Sequence, residues 1–154
     1  MSDGFTANPG AGGSTFASDD VGGTHWPRLK ISVGSDGVAL DNWTPWGLKS
    51  TASTNANAVK TAPGAVGFIS AMNVGSAVAY LKLYNKASAP TVGTDTPLLT
   101  FPIPASTTGA GVVIPIPNGL FFSTGIALAL TVSPGTAATD AVAADQVFLA
   151  LGYA

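Results

Sequence analysis

Between Asp95 and Asp140 the chain runs 44 residues, Thr96 to Thr139, without a charged side chain or a histidine. Such a run is not membrane-like here. Pro97, Pro102, Pro104, Pro115, Pro117 and Pro134, with Asn118, cut it into pieces far shorter than the roughly 20 apolar residues a spanning helix needs. What is left reads as short β-strands joined by tight Pro/Gly turns. Charge keeps a soluble monomer dispersed. A surface this bare therefore predicts that much of it is covered, by other copies or by a larger assembly.

The rest of the chain extends the same argument. At 154 residues a single domain is expected. Charged residues make up 9%, against about 25% in an ordinary domain, and Glu is absent. Glu, Lys and Arg furnish exposed helices, so their scarcity, with Gly, Pro, Thr, Ser and Val abundant, points to an all-β protein. A net charge of −2 with no basic stripe gives no electrostatic case for nucleic acid. Zero Cys excludes a disulfide framework and thiolate metal sites. Met1-Ser2-Asp3-Gly4 lacks the basic and apolar regions of a signal peptide, so synthesis in a cytoplasm is expected.

Residues 1–24 are rich in Gly, Ser, Asp and Ala, with Phe5 and Phe16 as the large apolar groups; they read as an extended or flexible arm. Folded structure is expected over 25–154. Leu29, Ile31 and Val33 alternate with Arg28, Lys30 and Ser32 as in a half-wet strand, Gly34 to Gly37 supply a turn, and Val38 to Leu40 return. Residues 41–63 read as a long connection with a brief strand near Ala58-Val59-Lys60. Further strands are expected at 64–73, 77–85, 98–103, 111–116, 119–122, 126–132 and 146–153, with the prolines at strand ends, edges or bulges. About eight short strands with regular turns predict a two-sheet antiparallel sandwich of jelly-roll type.

Chemistry is thin. No phosphate loop, nucleophile elbow or metalloprotease motif occurs. His25, the single histidine, reads as a strand-start residue beside Trp26. Asp19-Asp20 and Asp140/Asp145 lack the ligand spacing of a cation loop, and no carboxylate pair suggests glycosidase work. We expect no enzyme, cofactor, metal site or small-molecule substrate. Trp26, Trp43 and Trp46 fit a sugar-stacking platform or a core or interface plug. In 77–85, Ala79, Leu81 and Leu83 are expected to face the core and Tyr80, Lys82 and Tyr84 to face outward, as a contact face or simply a half-exposed strand.

The segment Ser18-Asp19-Asp20-Val21-Gly22-Gly23-Thr24-His25-Trp26-Pro27-Arg28-Leu29-Lys30 resembles the DDVGG-x-H-[YW]-x-R-x-K stretch of tailed-bacteriophage virion proteins. Similar blocks follow at Ser53 to Ala56 with Val59-Lys60, Tyr80 to Ala87, Ala89 to Pro97, Asn118-Gly119, Phe122 to Ala127 and Leu151-Gly152-Tyr153. Together they look like a small phage structural family that includes capsid decoration, or cement, proteins; the motif also occurs attached to tail and fibre proteins. The resemblance implies a jelly-roll-like module on the capsid exterior of the virion, partnered by the major capsid protein and by itself as homodimer or homotrimer. It supplies no catalytic residues. An adhesion module of a tail or head fibre, binding a host glycan, is the alternative. The contact residues we expect are Phe5, Phe16, His25, Trp26, Trp43, Trp46, Tyr80, Lys82 and Tyr84.

Overall fold

The computed structural model describes residues 18–21, 24–27 and 43–154. The chain divides into two compact units, Met1–Ile31 and Ser32–Ala154. In the first, β1 (Ser18–Val21) pairs antiparallel with β2 (Thr24–Pro27). Val21 pairs with Thr24, so the ladder has residues on both sides of position 24. The strand and return expected over 28–40 lie outside the described residues.

The second unit is all β in its described part. Its strands are β3 (Thr44–Lys49), β4 (Asn57–Lys60), β5 (Gly64–Asn73), β6 (Ala79–Asn85), β7 (Leu99–Ile103), β8 (Ala110–Phe122), β9 (Ile126–Thr131) and β10 (Val147–Tyr153). They form two four-stranded antiparallel sheets, ordered β3-β10-β5-β8 and β4-β9-β6-β7. One core lies between them: Val66, Ile69, Val147, Leu149 and Leu151 from the first sheet meet Leu81, Leu83, Ile103, Leu128 and Leu130 from the second, and Phe122 closes one end. This is a sandwich.

Two strands differ from the sequence expectation. β3 occupies part of the supposed connection over 41–63. It is an edge strand, so Pro45 and Gly47 are tolerated on its wet side while Trp46 and Leu48 pack on the core. The segments 111–116 and 119–122 are one strand, β8. From Val66↔Leu120 to Phe68↔Pro115 the pairing advances two positions on β5 and five on β8. The Pro117-Asn118-Gly119 sequence thus makes a bulge rather than a hairpin, with Gly119 at φ 70°. Prolines mark three of the four sheet edges: Pro45 on β3, Pro102 on β7, Pro115 and Pro117 on β8. Such edges resist strand addition.

β5 and β6 are consecutive but lie in opposite sheets. The fully buried Asn73 shapes the crossing. Its Oδ1 accepts from Gly75 N (2.8 Å), and its Nδ2 donates to Ala77 O (2.9 Å) and Ile103 O (3.2 Å). Asn55, at φ 50°, does the same before β4, accepting from Thr51 N and donating to Thr51 O and Ser53 O.

The connection from β6 to β7 is clamped by Asp95, which accepts from Thr91 N (2.6 Å) and pairs with Lys86. The Lys86 ammonium and the Thr91 amide hold the Asp95 carboxyl below its ordinary pKa. The unfolded chain therefore binds this proton more readily. Asp95 contributes stability that is full above the ordinary carboxylate value and is lost as pH falls through the depressed folded value. We expect Asp95→Asn to flatten the acid limb of a Tm-against-pH curve; an unchanged limb would show that the clamp is energetically idle.

Candidate functional site

The two outer faces of the sandwich differ. That of β4-β9-β6-β7 is covered by the chain's own loops. Tyr84, Ala127 and Ala129 are buried there with Val92 and Ala56 against them. Lys82 is fully buried, and its Nζ donates to Gly135 O (2.6 Å) and Ala138 O (3.3 Å). The two covering loops touch, since a side chain added at Gly93 would meet Thr139. Among the described residues, Tyr84 Oη and Asp140 Oδ2 are buried without a hydrogen-bond partner.

This corrects the expected Tyr80–Lys82–Tyr84 contact row. The alternation is real, because Leu81 and Leu83 enter the central core while Lys82 and Tyr84 point the other way. Their face is nonetheless inside the protein, and only Tyr80 stays half-buried. Lys82 and Tyr84 are not available to a partner. The remaining expected residues scatter. Trp46 faces the core; Trp43, half-buried, lays its ring where a side chain at Gly67 would be. The two do not form one platform. His25 and Trp26 sit on β2, opposite Asp20 and Asp19 in the ladder. Phe5 and Phe16 lie outside the described residues.

The other outer face, on β3-β10-β5-β8, is bare among the described residues of its own unit. Register places its outward positions in rows across the strands. One row runs Lys49, Phe148, Met72, Gly111; the next Gly47, Ala150, Ser70, Val113; the next Pro45, Gly152, Phe68, Pro115. Phe121 stands beyond the bulge. Seven large hydrophobic side chains are exposed in the described structure, and five of them, Phe68, Met72, Val113, Phe121 and Phe148, belong to this face. Val113 is 70% exposed. The charge in these rows is Lys49, neutralised by Asp145 at 2.9 Å.

The composition of the face follows from its strands. Val147-Phe148-Leu149-Ala150-Leu151 is apolar at both parities, as are Val112-Val113-Ile114 and Phe121-Phe122. That is the pattern of strands buried on two sides, yet here one side packs on the core and the other faces water. None of the five exposed residues was singled out from the sequence, although this two-parity pattern marks them. Glycine keeps the sheet close-set: a Cβ at Gly152 would collide with the Phe68 ring, which lies flat across β10.

Elsewhere the described residues offer little for chemistry. A depression of about 320 Å³ at the β5–β6 crossing is lined by Val74, Ser76, Ala77, Val132, Ala144 and Gln146. Asp145 also lines it, and its two largest polar side chains are engaged: Asp145 pairs with Lys49, while Gln146 accepts from Ala143 N (2.8 Å) and reaches Asn73 Oδ1 (3.4 Å). No grouping of three or more His, Asp or Glu side chains occurs among the described residues. Asp145 pairs with Lys49, while Asp140 acts on Lys82.

Comparison with protein-family models, curated proteins and solved structures returned no match. The described residues of the second unit define an all-β sandwich, one outer face of which is covered by the chain's own loops.

Proposed function

We propose that this chain is a structural protein of a phage virion, of the capsid decoration or cement type. It seats on the head exterior, bridges neighbouring major capsid protein subunits and stabilises the shell. The observation that carries this reading is the apolar outer face of β3-β10-β5-β8, whose rows hold one charged side chain, Lys49, paired with Asp145, and which contact within an assembly, with another copy or with the shell, would cover. Monomers rarely leave contiguous apolar patches beyond a few hundred Å² in water. Proline-marked edges favour attachment by a face over strand addition. The resemblance of residues 18–30 and of the later blocks to phage virion proteins supplies the setting.

We further propose that the sandwich is a jelly roll. Support comes from the strand order: first and last strands adjoin in one sheet (β3, β10), second and next-to-last in the other (β4, β9), and the inner four follow the same winding. Each copy then adds a buried contact bridging shell subunits, and a standard interface of roughly 1,600 Å² suffices for tight binding. Many copies acting together add avidity. The role needs no catalytic centre, cofactor, nucleic acid or membrane.

The test is a count. In virions carrying the chain, quantitative mass spectrometry of separated heads and tails should find it with heads, at a copy number comparable to that of the major capsid protein. A handful of copies confined to tails would overturn the reading. Glycan binding by the isolated chain, lost on Trp43→Ala, would then favour the adhesion role.

A further inference from the structure

We propose that the bare face of the β3-β10-β5-β8 sheet is the site where a second copy of this chain binds, sheet against sheet. The inference rests on the reading of that face as a covered one, and it names the cover.

Charge is the first argument. An isologous contact sets a surface against itself, so each charge on it meets its like. This face avoids that penalty, because Lys49 at its corner is neutralised by Asp145 within the same copy. A foreign partner would have to be equally apolar over the same area; an identical copy meets the requirement by construction.

Shape is the second. The Gly47–Ala150–Ser70 row is a trough of small side chains between the Phe148–Met72 and Phe68 rows. Alternate residues on a strand stand about 7 Å apart, so the trough admits a ridge from a facing sheet at the ordinary sheet-to-sheet spacing of about 10 Å. Val113, at the end of the trough, is a knob with no hole of its own.

Area is the third. At about 200 Å² per large side chain, the five exposed ones leave roughly 400 Å² in water. Prolines 45, 115 and 117 with Ala150 bring the face to roughly 600 Å². Two such faces bury about 1,200 Å², the lower end of a specific interface. The expected dimer is therefore reversible, with a dissociation constant on the order of micromolar.

Sedimentation velocity on the full chain, from sub-micromolar to several hundred micromolar, tests this. The wild type should pass from monomer to dimer. Val113→Lys, on a side chain too exposed to contribute to the fold, should weaken association about 100-fold by forcing two charges into the contact. Met72→Lys should act alike, and circular dichroism with thermal melting checks that both variants fold. A wild type that stays monomeric, a trimer, or a dimer indifferent to both lysines overturns the inference. Binding to heads is scored separately. A monomeric wild type that still decorates heads sinks this inference and spares the virion reading. A lysine-sensitive dimer that ignores heads does the reverse.

Discussion

Lys82→Ala should destabilise the sandwich by about 3 kcal/mol, because it removes two hydrogen bonds from a charged donor at about 1.5–3 kcal/mol each. At about 2–4 °C per kcal/mol for a chain of this size, Tm should fall by roughly 6–12 °C. Lys82 leaves mid-strand β6 on the face away from the core and is fully buried beneath the loop between β9 and β10. Its ammonium donates to Gly135 O and Ala138 O, tying that loop down, and it feels the charge of Asp140 without forming an ion pair with it. Truncation strands two carbonyls and leaves Asp140 without its compensating charge. Adding Asp140→Ala to the variant should therefore return part of the loss, because the uncompensated carboxylate goes with it.

A pH signature accompanies this. Burial lowers the Lys82 pKa, and Asp140 opposes the shift in part. The unfolded chain holds the proton to higher pH, so wild-type stability rises relative to Lys82→Ala between the lowered value and the ordinary one. Melting curves that coincide for wild type and variant would show that Lys82 is merely enclosed and ties nothing.

The same residue shows what the sequence could and could not reveal. Strict alternation in β6 assigned every side chain to the correct face. Period two says which face a residue takes but not whether a second layer lies over it. That layer consists of loops whose sequences carry no periodicity. β5 was legible to the residue, because its apolar positions are dense and Gly64 and Asn73 bound it. β3 was not, since an edge strand carries its proline and glycine outward and leaves Trp46 and Leu48 as the whole apolar signal.

The bare face was legible only in principle. Reading β10 as Val147, Leu149 and Leu151 for the core leaves Phe148 and Ala150 for the other side. Of the four strands of this face, β5 and β10 stand where the sequence places them, whereas β3 and the continuous β8 do not, and the second parity is visible only once their pairing is known. The sparse charge predicts a covered surface without placing it. Placement needed the register, which lines up Phe148, Met72 and their neighbours across strands far apart in sequence.

Ser50→Ala should cost about 3 kcal/mol, through two amides rather than through a cavity. Ser50 follows β3 and is 1% exposed. Its Oγ accepts from Gln146 N (3.0 Å) and Val147 N (2.9 Å) and donates to Ala143 O (2.9 Å). Its backbone is committed to the same turn, donating to Val147 O (2.8 Å) and accepting from Asp145 N (2.7 Å). Asp145 adopts φ 59°, a left-handed conformation that a non-glycine residue takes at a cost, so the turn needs outside bonds to hold it. Losing the hydroxyl leaves two N–H donors buried and unpaired, at about 1–3 kcal/mol each. The effect should be local as well as global. Val147 is the first core residue of β10, the strand shared by β3 and β5, and its amide should lose hydrogen-exchange protection well before those of Leu149 and Leu151. Exchange that accelerates equally along β10, or a Tm within 2 °C of wild type, would mean that solvent replaces the hydroxyl and that this turn holds itself.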